Sequence, residues 1–174
     1  MKVEIGPYPD DDSIHDEQVI DVHIDEWDTW NMDNTLAHII LPMLKQLKET
    51  KAGSSRVAPE DVPEHLQPTQ EEIDLYNTNG QTDSKFFDRW DWVMDEMIFA
   101  FDSLAGEGKD WEDRFWSGEM DIYFDTMDDG SGNFEMKHGP NHTLDCDMDG
   151  LKLYQARITN GFRLFGKYYQ GLWD

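Results

Sequence analysis

Ser84–Leu104, SKFFDRWDWVMDEMIFAFDSL, is the stretch whose reading decides the fold. Set out at about 100° per residue it separates into three faces. Phe87, Trp90, Met94, Met97, Ile98, Phe101 and Leu104 make an apolar stripe, while Asp88, Asp91, Asp95 and Asp102 gather on an acidic one. A third face carries Lys85, Trp92, Glu96, Phe99 and Ser103. The periodicity predicts a long helix over 84–104 that buries one face. Two large aromatics off that stripe, Trp92 and Phe99, call for a second contact: a wider core, a ligand or another subunit.

Working outward, Asn31–Lys51 predicts another long helix with Met32, Leu36, Ile39, Ile40, Met43, Leu44 and Leu47 inward and Gly53 as its stop. Pro42 lies inside it, and a kink is expected where the carbonyl of His38 loses its donor. Between these helices, residues 53–82 carry Pro59, Pro63 and Pro68 and read as a long connection with one short helical turn. A third long helix is predicted over 150–170, with Leu151, Tyr154, Ile158, Phe162, Phe165 and Tyr169 inward and Asp149 as its cap. Gly161 and Gly166 lower helix propensity there and point to close packing against another backbone. KVEI and QVIDVHI read as N-terminal strands, DWEDRFW as a short helix capped by Asp110, and EMDIYFDT, NFEMKH and TLDCDM as a meander. DDGSG is the expected hairpin turn between the first two of these, and Gly139–Asn141 turns the chain into the third. The expected fold is a single α+β domain over 1–174: three long helices packed with a small antiparallel sheet, the meander plus the N-terminal strands.

The chain has 174 residues, with 38 Asp and Glu against 14 Lys and Arg, for a net charge of −24. A surface so acidic argues against direct DNA or RNA binding, which needs a basic face for the phosphates. It suits solubility or DNA mimicry. Cys146, the one cysteine, allows no intrachain disulfide and suits a reducing cytoplasm. No secretory leader is expected, because Asp10–Asp12 fall where an apolar region would stand. No apolar run approaches membrane-spanning length.

DCDMDG, Asp145–Gly150, opens like an EF-hand loop, but its twelfth position is Ala156 where a bidentate Glu is required, so no calcium site is expected. Asp88, Asp91 and Asp95 have a spacing that would hold magnesium in a nucleotide hydrolase, and equally that of a solvated acidic face. There is no phosphate-cradling glycine loop, H-E-x-x-H or nucleophile elbow, so neither catalysis nor a cofactor is expected. The scarce bases are unevenly placed. Eight of the fourteen, Lys45, Lys48, Lys51, Arg56, Lys152, Arg157, Arg163 and Lys167, fall in two short segments. Charge for a phosphate beside rings for stacking is what a small anionic, base-containing ligand needs. Helix-dipole complementarity and surface ion pairs account for the same residues. The candidate ligand-binding set is Trp30, Lys45, Lys48, Arg56, Trp92, Arg163, Lys167 and Tyr168.

Four blocks, TWNMDNTLAHIILPMLKQLKETKAG (29–53), EDVPEHL (60–66), RWDWVMDEMIFAF (89–101) and NGFRLFGKYYQGLWD (160–174), together resemble a widespread family of small tailed-phage proteins. Within it the chain is similar to anti-CBASS sponge proteins, which sequester cyclic oligonucleotide immune signals without cleaving them. The resemblance implies a non-enzymatic immune-evasion protein in the cytoplasm of an infected bacterial host, holding a cyclic dinucleotide or related signal. The alternative from the residues is an acidic protein-binding inhibitor or DNA mimic acting on a host defence or nucleic-acid-binding protein. The surplus apolar face of the 84–104 helix predicts a homo-oligomer, a C2 dimer.

Overall fold

The computed structural model describes residues 2–6, 20–106 and 113–173, without the side chain of Ile5. The class is α+β: among the described residues there are four α-helices and three separate two-stranded antiparallel sheets. In chain order, strands β1 (Lys2–Ile5) and β2 (Ile20–His23) precede helices α1 (Met32–Thr50), α2 (Gln70–Asn79) and α3 (Phe86–Ala105); strands β3 (Trp116–Ser117), β4 (Ile122–Thr126), β5 (Phe134–His138) and β6 (Asp145–Cys146) follow, and helix α4 (Met148–Tyr168) comes last.

Helix α3 lies between α1 and α4 and runs antiparallel to both. Lys45, Lys48 and Lys51 of α1 meet Asp102, Asp95 and Asp91 of α3 in descending order. Tyr154, Arg157 and Tyr168 of α4 meet Ser103, Glu96 and Trp90. A helix sandwiched this way buries two faces. Arg89, Trp90, Val93, Met94, Glu96, Met97, Ala100, Phe101 and Ala105 are all buried, whereas Phe87, expected inside, is exposed. Trp92 is half-buried against the core, and Phe99 packs edge-on to Tyr154 with the Arg157 guanidinium over its ring. The surplus apolar face of this helix is therefore covered within one chain, and the ground it offered for a dimer through α3 falls away.

The flanking helices are rotated from their predicted stripes. Helix α1 buries Ala37, Leu41 and Leu44, while Met32, Leu36 and Met43 stay exposed. The turn that brings Lys45 and Lys48 over α3's carboxylates swings the Met32–Met43 line outward. Helix α1 runs unbroken through Pro42. Helix α4 begins at Met148, and its cap is Asp147, whose carboxylate accepts from Gly150 N at 2.9 Å, instead of Asp149. Gly161, Leu164 and Tyr168 are its buried positions, and Tyr169 is exposed.

The connection after α1 holds more order than its prolines suggest. Helix α2 is closed at its start by Thr69, whose hydroxyl accepts from Glu72 N while the Glu72 carboxylate accepts from Thr69 N. Gly80 ends it in the left-handed region at φ 75°. The hairpin β4–β5 forms as expected, but the meander does not. After β5 the chain turns at Gly139, whose N–H donates to the Asp121 carbonyl at 2.9 Å, and β6 pairs with β3 instead. Trp116, expected in a short helix, is thus a strand residue behind a single 3₁₀ turn, Asp113–Phe115. The expected Asp110 cap lies outside the described residues.

The two glycines of α4 differ. A Cβ on Gly161 would overlap the Glu96 carbonyl oxygen and the Ala100 methyl of α3, while one on Gly166 would meet nothing within 4 Å. Gly161→Ala is expected to cost about 1–3 kcal/mol or more by forcing α3 and α4 apart. Gly166→Ala is expected to stabilise by roughly 0.5–1 kcal/mol through helix propensity. Urea denaturation of the two variants checks the opposite signs.

Candidate functional site

The candidate bases do not converge on an open pocket. Lys45 and Lys48 stand on the side of α1 that meets α3, with Lys45 3.2 Å from Asp102 Oδ1 and Lys48 paired to Asp95. Lys51 Nζ lies 2.6 Å from Asp91 Oδ1. The lysines and the acidic face of α3, two separate features along the chain, are the two halves of one interhelix ladder. The same pairing engages two of the three carboxylates that a magnesium site would need. Among the described residues no group of three or more His, Cys, Asp or Glu side chains is placed to hold a metal ion.

Arg163, Lys167 and Tyr168 do come together, around Asp61. This residue sits in the connection after α1, in the single turn Pro59–Asp61, and its side chain is 1% exposed. Arg163 Nη1 is 2.8 Å from Oδ1, Lys167 Nζ is 2.5 Å from Oδ2, and the Tyr168 hydroxyl donates to Oδ2 at 2.5 Å. The Ala58 N–H in turn donates to that hydroxyl at 2.9 Å. Burial alone would raise the Asp61 carboxyl; the hydrogen bonds from Lys167, Tyr168 and Arg163 outweigh it and hold the group below the usual carboxylate range. The hydrogen bond to Asp61 pushes Lys167 up, and burial followed by that carboxylate pushes Tyr168 up. The anion that these bases hold is the protein's own.

The other candidates lie elsewhere. Arg56 rests over the Tyr76 ring at 4.6 Å and donates to Asn77 Oδ1 at 2.9 Å, beside a depression of only about 70 Å³. Trp30 stacks on Trp27 at 5.5 Å, both largely exposed, and Trp92 belongs to the core. The eight candidates thus occupy five places.

Two buried charges were not singled out from the sequence as interior. Glu96 receives Arg157 through three hydrogen bonds of 2.7–3.1 Å, and Arg89, buried in α3, pairs with Asp83 and donates to the Leu66 carbonyl at 3.0 Å. For Asp61 no local signal existed, because its partners are more than one hundred residues away along the chain.

Two apolar features remain open. A cleft of about 520 Å³, lined by Ile40, Met43, Leu44, Leu47, Phe165, Tyr169 and Leu172, has the size of a ligand pocket but contains no base. The β4–β5 ribbon places Ile122, Phe124, Phe134 and Met136 on one face by its register, and all four are exposed. Its other face carries the ion pairs of Lys137 with Asp125 and Glu135. Both carboxylates hold Lys137 above its ordinary value, Glu135 most strongly.

Comparison of the chain with protein-family models, with curated proteins and with solved structures finds no match. No helix is long and apolar enough to cross a membrane among the described residues.

The Asp61 cluster has a measurable signature. Asp61→Ala removes three charge-assisted contacts and is expected to cost about 3 kcal/mol or more in urea denaturation. Arg163→Ala leaves the carboxylate two donors and is expected to cost about 1.5 kcal/mol. Lys152→Ala, at an exposed position, should stay within about 0.5 kcal/mol. Since Asp61 is depressed in the folded state, its contribution is complete above the ordinary carboxyl value and is lost as pH falls through the lower folded one. Lys167, raised, loses its contribution as pH climbs through its folded value. Asp61→Asn should flatten the acid limb of the stability profile.

Proposed function

We propose that the protein is a non-catalytic, acidic inhibitor that docks on another protein through the apolar face of the β4–β5 ribbon. The observation that carries this reading is that Phe124 and Phe134 are each 68% exposed on one face of a two-stranded ribbon, beside Ile122 and Met136. An isolated two-stranded ribbon is marginal in water, and open aromatics on it favour association. Aromatic side chains of this kind are the anchors on which interfaces concentrate their binding energy. Asp125 and Glu135 on the opposite face, with Asp128 and Asp129 in the turn, add local charge to a chain at −24. A partner that fits has an apolar pocket rimmed by bases, and the phage resemblance makes it a host defence or nucleic-acid-binding protein.

Sequestration of a cyclic dinucleotide rests on the resemblance, because Lys45, Lys48, Arg163 and Lys167 are engaged by carboxylates of the chain itself. Titration calorimetry with 3′,3′-cyclic GMP–AMP is expected to show no heat of binding. Stoichiometric heat would return the nucleotide reading. Pull-down from bacterial lysate is expected to retain a basic protein, less of it as salt rises. The Phe124→Ser, Phe134→Ser double variant should lose that protein. Equal retention by both forms, or none by either, would overturn docking through the ribbon.

A further inference from the structure

Helix α1 carries a second open face, separate from the ribbon. Met32, Leu36, Ile39 and Met43 fall within about 60° of one another around the helix. Ile39 is partly covered, and Met43 is 60% exposed although it also lines the apolar cleft beside Tyr169. The buried flank, Ala37, Leu41 and Leu44, lies to one side of this line. We propose that this face pairs with the same face of a second copy of the chain, as an antiparallel, two-fold symmetric contact between α1 helices.

Charge selects the occupant. With 38 acids in 174 residues, a second copy is repelled wherever carboxylates face carboxylates. The Met32–Met43 line contains no charged residue, and Gln46 and Thr50 continue it without one. The lysines of α1 are turned toward α3. The rim separates this face from the ribbon: the ribbon is bordered by Asp125, Asp128, Asp129 and Glu135, whereas the α1 line is flanked by Thr35, Pro42 and Gln46 on one side and Ile40 and Leu47 on the other, so a like-charged copy meets no carboxylate there.

Spacing gives the geometry. The four residues are separated by four, three and four positions, a palindrome. A two-fold axis crossing α1 between Ala37 and His38 sets Met32 opposite Met43 of the partner and Leu36 opposite Ile39, so every position on the seam meets an apolar side chain. Tyr169, 64% exposed, lines the same cleft as Met43 and extends the apolar surface beside the seam.

Light scattering at micromolar concentration is expected to return twice the 20.4 kDa chain mass. Salt should strengthen the dimer by screening the charge of the two copies, where it would weaken contact with a basic protein. Met43→Glu, at an exposed position, should yield the single-chain mass with unchanged circular dichroism. In a Cys146→Ser background, Met32→Cys mixed with Met43→Cys should oxidise to a cross-linked dimer, and Met32→Cys alone should cross-link at least tenfold less. Four outcomes would overturn the proposal: single-chain mass for the unmodified protein, a dimer that survives Met43→Glu, weakening by salt, or cross-linking of Met32→Cys alone as efficient as that of the mixture.

Discussion

The helix layer depends on neutralising carboxylates where the helices meet. Helix α3 is packed on both sides, with Arg89 and Glu96 buried and Asp91, Asp95 and Asp102 at the half-open edge toward α1. Its carboxylates toward α1 are met by Lys45, Lys48 and Lys51, and Glu96 toward α4 is met by Arg157. Glu96 is buried, and left without Arg157 it would cost several kcal/mol. The α1–α3 carboxylates are 40–55% exposed, so each of those pairs contributes about 1 kcal/mol or less, and the same rotation of α1 that buries Ala37, Leu41 and Leu44 leaves the line from Met32 to Met43 outside.

Asp61 extends the same logic to the connection after α1. A proline-punctuated segment has little reason of its own to adopt one path, yet its central carboxylate is nearly inaccessible and gathers Arg163, Lys167 and Tyr168 from α4. Tyr168 also stands edge-on to Trp90, near the start of α3. One residue thus ties the connection, α4 and the aromatic core together. The clustering of bases that suggested phosphate binding arises from this internal anion and from the α1–α3 ladder.

With the bases occupied, what remains for binding is apolar: the β4–β5 ribbon and the outer face of α1. They differ in their electrostatic setting. The ribbon sits among Asp125, Asp128, Asp129 and Glu135, which favours a basic partner, and the α1 face is uncharged, which favours a second copy. The ribbon is accordingly proposed for a target and the α1 face for a second copy.

The periodicity of Ser84–Leu104 by itself determined that a long amphipathic helix stands at the centre, and the α+β class, three of the four helices and the β4–β5 hairpin followed from local patterns of the same kind. Helix α2 was missed, since residues 53–82 read as a connection with one short helical turn: its few apolar residues give no periodic signal, and only the caps at Thr69, Glu72 and Gly80 mark it. Local pattern reports which side chains share a face. It does not report which face is turned toward a neighbour, because that balance sets apolar burial against charge pairing across helices. Only the tertiary structure decided that Phe87 and Met43 face out, that Arg89 and Glu96 face in, and that Asp61 meets residues more than one hundred positions away. Of the eight candidate ligand residues, the structure brings Arg163, Lys167 and Tyr168 together around Asp61. Their partner is a carboxylate of the fold itself, because a long-range ion pair leaves no trace in the spacing of either half.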